Sequence, residues 1–273
     1  SYFPGAFNSL SFDGTDDYVE NTDAANSSSI LFDLSESNFS ISLWFNTSVN
    51  NSEMLLLGKE YNHDYKDFSI ALNSSGKIIF NTENNGNNHY FTGPSYTINQ
   101  WNHIVASITV SGTSMTVSMY LNGILQSGTY YSGSSLTTHN NDTYHATNLY
   151  IGKRHYVGES ATELFQGSLA DIRIYSQVLT SVQVSDIYNY GTIFGHEVLH
   201  YKMEKTMGTN LIDSSGNGYD GTLYGVPTYH WTFSLMNDKI KERGWPLSNS
   251  EIEKKVKVDF PHTFINTRNS LTG

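Results

Sequence analysis

His196-Glu-Val-Leu-His200 matches a catalytic metal motif, H-E-x-x-H. On a helix, histidines four apart share one face and can hold a zinc ion, with Glu197 as general base. The context argues against that helix. Gly191 and Gly195 precede the motif and weaken helix entry, and Lys202 stands where such helices bury an apolar residue. The remaining histidines, among them His63, His89, His103, His139 and His145, show no metal-ligand spacing. No Gly-x-Ser-x-Gly elbow and no phosphate-binding glycine loop occurs.

Recognition chemistry is written more broadly. Glu60-Tyr-Asn-His-Asp-Tyr65, Asn84 to Tyr90 and Arg154-His-Tyr156 concentrate aromatic rings, amides and charges. Aromatic faces with amide and carboxylate hydrogen-bonding groups suit sugars. Tyr61, His63, Asp64, His89, Tyr90, Arg154 and His155 are therefore the candidate ligand-binding residues, for a glycan or for a surface protein. The plainer reading is polar loops in a chain rich in Asn and Tyr.

The bulk properties narrow the classes. Aromatics make up 14% of the residues and charged residues only 15%, so the surface falls to Ser, Thr, Asn, Gly and Tyr, as in β-rich extracellular domains. A net charge of -11 repels nucleic acid and anionic membranes and attracts cations. The absence of cysteine excludes disulfides and leaves the compartment unread. No apolar run is long enough to span a membrane. Sequons at Asn26, Asn38, Asn46, Asn50, Asn73 and Asn141 match the number expected by chance in so Asn-rich a chain and carry no weight.

Any site must be carried by strands. Apolar-polar alternation with turn signals every few residues marks Phe39–Phe45, Met54–Gly58, Phe68–Leu72, Lys77–Phe80, Trp101–Val110, Met115–Leu121, Asn148–Gly152 and Ser168–Tyr175. Asn73–Gly76 and Ser111–Ser114 read as hairpin turns, and Asn122-Gly123 as a tight primed turn. A helix is expected over Thr180 to Tyr190, capped by Thr180 or Ser181 and stopped by Gly191. Residues 231–273 change character, with seven basic against five acidic residues where 1–230 hold eight against twenty-one. Ser234–Arg243 and Ser248–Lys257 look helical there, the second with a capping-box pattern at Ser248 and Glu251.

Three stretches together resemble the laminin G-like branch of the concanavalin A-like lectin/glucanase superfamily: Ser9 to Val19; Gln100 to Ala106 with Met119 to Gly123; and Phe165 to Tyr175. The resemblance covers about residues 8–191. It implies an all-β jelly-roll sandwich of two antiparallel sheets over 1–191, to which the chain adds a short helical C-terminal tail. The family's usual opening resembles Leu199–Glu204, Asp213–Gly221 and Gly225–Tyr229, here placed after the domain. Residues 192–230 could thus fold back and supply missing strands, open a second repeat, or pair with another subunit; fold-back is the reading preferred. It also makes Leu199 to Glu204 a strand, which separates His196 from His200.

The resemblance further implies a structural Ca²⁺ bound by the early turn and the last strand's acid, here Asp13, Gly14 and Asp171. The alternative is that Asp13 caps its turn and Asp171 pairs with Arg173 or Lys153. The superfamily's glycosidases carry paired acids on one strand, for which only Glu159 and Glu163 stand near, in a loop-like segment. The expected function is a non-catalytic binding or adhesion module with Ca²⁺ as cofactor, extracellular or on a cell or virion surface. Partners are a glycan or a surface protein. A structural subunit joined to its copies through the C-terminal segment is the second class, and a zinc protease the third.

Overall fold

The computed structural model describes residues 7–232, apart from residues 32, 85–86, 132–134, 138–144, 157–161, 193–194, 205–207 and 226. The chain divides into two units, Ser1–Thr232 and Phe233–Gly273. The helices expected at 234–243 and 248–257 lie outside the described residues.

In chain order the strands are β1 (Phe7–Asp13), β2 (Tyr18–Asn21), β3 (Phe39–Asn46), β4 (Met54–Glu60), β5 (Tyr65–Leu72), β6 (Lys77–Asn84), β7 (Asn87–Ser95), β8 (Asn102–Ser111), β9 (Ser114–Leu121), β10 (Ile124–Leu125), β11 (Thr129–Tyr130), β12 (Leu136–Thr137), β13 (Leu149–Ile151), β14 (Gln166–Tyr175), β15 (Glu197–Tyr201), β16 (Asn210–Leu211), β17 (Gly221–Tyr224) and β18 (Thr228–Thr232). Helix α1 spans Ser181–Tyr190. One sheet runs β10-β9-β8-β3-β14-β1-β18, with β12 on β9 and β15 on β14. The other runs β11-β7-β6-β5-β4-β13-β2-β17-β16. Every pairing is antiparallel, as a jelly-roll sandwich requires.

Alternation places one apolar set between the sheets. Phe39, Ile41, Leu43 and Phe45 of β3 meet Phe68, Ile70 and Leu72 of β5 and Ile78 and Phe80 of β6 in a single core. The local signals behave as their chemistry dictates. Asn122 (φ 52°) and Gly123 (φ 81°) are both left-handed, as the primed turn between β9 and β10 demands. The Thr180 side chain accepts from Gln183 N and closes a capping box, and Gly191 ends α1 at φ 64°.

Residues 197–232 pair with the sheets of their own chain. β15 lies along β14, β17 along β2 and β18 along β1. Leu199, Tyr201, Met203 and Leu211 enter the shared core. Glu197 opens β15 and His200 lies inside it, while His196 precedes the strand at φ 58°. The motif is therefore not on a helix, and His200 Nε2 meets Asp171 at 2.8 Å.

Candidate functional site

The early turn gathers acids. Asp13 ends β1, and its carboxylate accepts from the amides of Thr15 (2.7 Å) and Asp16 (3.3 Å). Asp17 Oδ2 accepts from Asp13 N at 3.0 Å. Ligand oxygens of Asp13, Asp16 and Asp17 all lie within 4.8 Å of one another. Gly14 takes φ 78° there, pressed against Gln166 so closely that a side chain would collide with it. The Thr15 amide, foremost, holds the Asp13 carboxyl below its ordinary range. Gly225 abuts this turn; a methyl group on it would overlap the Asp17 carboxylate.

Asp171 does not join this turn. Asp13 faces Gln166 across the β1–β14 ladder, and Asp171 stands five residues further along, about 16 Å away. It is buried, accepts from Nε and Nη2 of one Arg173 guanidinium edge at 2.9 Å each, and meets His200 Nε2 at 2.8 Å. Burial opposes its charge, but Arg173 and His200 outweigh that and hold it well below the usual carboxylate range. The expected Asp13–Asp171 metal pair is replaced by a turn of three aspartates and a separate buried ion pair.

The loop candidates separate into two groups. Tyr61, His63 and Asp64 form the turn between β4 and β5, with His63 and Asp64 exposed. The His63 ring lies 4.2 Å from that of Tyr156. Arg154 is buried rather than free for ligand: Nε donates to Glu60 Oε2 at 2.8 Å and Nη1 pairs with Glu163. Beside it Lys66 pairs with Glu83 and donates to the His63 carbonyl. His155 stands edge-on to Tyr150 at 5.0 Å. His89 and Tyr90 sit on strand β7 rather than in a loop, and Tyr90 packs 4.7 Å from the ring of Tyr131, away from the first group in sheet order.

A third cluster, outside those candidates, sits on the outer face of the second sheet. Val19, Ile151 and Leu223 point into the core, so Tyr18, Glu20, Tyr150, Thr222 and Tyr224 point away from it. Register sets Glu20 beside both Tyr150 and Thr222, and Tyr18 beside Tyr224. Tyr18 and Tyr224 stack at 4.5 Å with 7° between their planes. Glu20 Oε1 accepts from Tyr150 Oη at 2.8 Å and Asn148 Nδ2 at 2.7 Å, and this carboxylate raises the pKa of the Tyr224 hydroxyl. Burial works against the Glu20 charge; these donors prevail and lower its pKa. The Lys153 ammonium lies 3.2 Å from the centroid of Tyr18 and 4.7 Å from that of Tyr150. The order is thus ammonium, Tyr18, Tyr224 and then solvent, with Tyr224 40% exposed. The outward alternation of Tyr18-Val-Glu20 and Thr222-Leu-Tyr224 is the sequence signal for this cluster.

The sequence profile of the concanavalin A-like lectin/glucanases superfamily, in its laminin G form, matches residues 13–185. This chain belongs to that superfamily. Among solved structures, a candidate carbohydrate-binding protein from Bacteroides ovatus superposes on this laminin G-like chain with a TM-score of 0.58 at 15% identity, over 83% of this chain and 60% of that one. The present chain therefore spans about three-fifths of that relative's length. The CBM40 module of the Ruminococcus gnavus IT-sialidase, bound to α2,3-sialyllactose, gives a TM-score of 0.50 at 13% identity, over 66% of this chain and 96% of that one. No curated protein matches the chain in sequence. The laminin G-like, lectin-like fold is thereby fixed; at these identities the likeness extends to fold alone. Among the described residues no helix is long and apolar enough to cross a membrane.

Proposed function

We propose that this laminin G-like chain is a non-catalytic glycan-binding module, and that the exposed face of Tyr224 is where a sugar ring stacks. One observation carries this reading: a half-exposed tyrosine is stacked nearly parallel on a second ring beneath it. Preorganised aromatic faces bordered by fixed hydrogen-bonding groups suit saccharides, because little side-chain freedom is lost on binding. Thr222, Glu20 and Asn148 border the ring and can meet sugar hydroxyls. The fold of carbohydrate-binding relatives supports the same reading. Glu60 and Glu163, acids close enough to share Arg154, are spent on that guanidinium rather than set as a catalytic pair.

The reading includes a Ca²⁺ on Asp13, Asp16 and Asp17, since hard carboxylate oxygens gathered this closely suit that ion. It also includes action outside the cell or at a surface, where free and surface-bound glycans are met. Screening the protein on a glycan array, with Tyr224→Ala beside it, tests the proposal. Binding that is lost in the variant supports it; binding unchanged in the variant, or no glycan bound by either, overturns it.

A further inference from the structure

We infer that the Tyr224 surface selects neutral or amine-bearing sugars and rejects those carrying a carboxylate, an inference that rests on the glycan-binding reading above. It follows from the charges built around the ring. Glu20 lies beside the stack, next to Thr222 across the β2–β17 ladder, and its carboxylate raises the pKa of the Tyr224 hydroxyl. On one side, Tyr224 leads into Gly225, whose backbone closes on Asp16 and Asp17. Asp13 is tied to Asp17 in the same turn. On the other side, Thr222 pairs with Asn210, and Asn210 Nδ2 donates to Asp220 at 3.0 Å. Glu20 and the aspartate turn thus set carboxylates on the two sides of the platform, and Asp220 adds another just before β17.

Lys153 is the cation among these residues, and it is spent. Its ammonium lies between the rings of Tyr18 and Tyr150, with the whole residue 6% exposed and Tyr18 and Tyr224 stacked between it and solvent. An anionic ligand on Tyr224 would meet the carboxylates at the surface and the ammonium only through two rings. A divalent ion on the aspartate turn offsets part of the charge and leaves the balance negative. A neutral sugar meets no such opposition: the free carboxylate lone pairs accept its hydroxyl protons. An amine-bearing sugar gains attraction from the same groups.

The experiment compares matched probes, neutral galacto- and gluco-oligosaccharides against their amine-bearing and uronate counterparts, and lactose against sialyllactose, by array and by calorimetry. The expected result is binding of the carboxylate forms at least about tenfold weaker than of the neutral forms at low salt. The gap narrows to about threefold near 0.5 M salt as screening sets in, and amine-bearing forms bind at least as well as neutral ones. Glu20→Gln narrows the neutral-to-acid ratio further. A carboxylate sugar bound as tightly as its neutral counterpart, or a ratio indifferent to both salt and Glu20→Gln, overturns this inference while leaving glycan binding intact. Absence of binding to every probe overturns the glycan reading beneath it.

Discussion

Tyr18 and Tyr224 are separated by most of the domain's sequence, yet their rings lie parallel 4.5 Å apart on neighbouring strands β2 and β17. Only because β17 returns to the sheet begun by β2 does the stack exist. The two rings have unequal tasks. Tyr224 is exposed, and it is the ring proposed to meet ligand; Tyr18 supports it and covers Lys153. Tyr18→Ala is expected to cost about 1 kcal/mol of stability, with the melting temperature down by a few degrees. Tyr224→Ala loses the same stack but less burial, and should lower the melting temperature by a smaller amount. Thermal melts of both variants check this asymmetry.

The return of β15, β17 and β18 to their own sheets makes a prediction about length. A chain ending at Gly191 loses Leu199, Tyr201 and Met203 from the core and bares the β14, β2 and β1 edges. Its melting temperature should fall sharply, with aggregation. An unchanged melting curve would show that these strands contribute nothing.

The Asp171–Arg173 pair is structural. Asp171→Asn leaves the buried guanidinium only the more distant Glu197, 3.6 Å from Nη1, and should cost about 3 kcal/mol, lowering the melting temperature by about 10 °C. Zinc analysis should find none held by His196 and His200.

His145 is fully buried, with Nδ1 2.7 Å from Asp67 and Nε2 3.1 Å from Glu36. Burial works against its charge, but hydrogen bonds to these carboxylates prevail and raise its pKa above 6.5. A raised histidine contributes stability that is fully present below the unfolded value near 6.5 and is lost as pH rises through the folded value. Urea unfolding followed upward from pH 6 should show declining stability. His145→Gln should flatten that decline; an equal slope in the variant would contradict the assignment.

The aspartate turn gives the metal prediction. Ca²⁺ at one hundred times its dissociation constant should add about 2.7 kcal/mol, visible as a melting temperature that falls with chelator. Asp16→Asn should remove most of that difference. A chelator-insensitive melt would remove calcium from the account.

The sandwich was legible because alternation, hairpin residues and caps are local. Phe39–Phe45, the Asn122-Gly123 turn and the Thr180–Gly191 helix all follow from residues adjacent in sequence. The site was less so, because it is assembled by register. Nothing near Tyr18 announces Tyr224, and only the sheet order brings them together. Asp171 misled for a related reason. The acid of the last strand fits the family's metal pattern, but its φ of 48° and the irregular β14–β3 register beside it set the carboxylate against Arg173 and His200. Arg154 looked like a ligand contact in a polar loop, but its buried partner Glu60 stands on a distant part of the chain.

Calorimetric titration of a glycan found by array, into the wild-type protein and into Tyr224→Ala with its fold verified by circular dichroism, tests the central claim most directly. The account predicts affinity weakened at least about tenfold in a variant that remains folded. Equal affinity in the two proteins would contradict it.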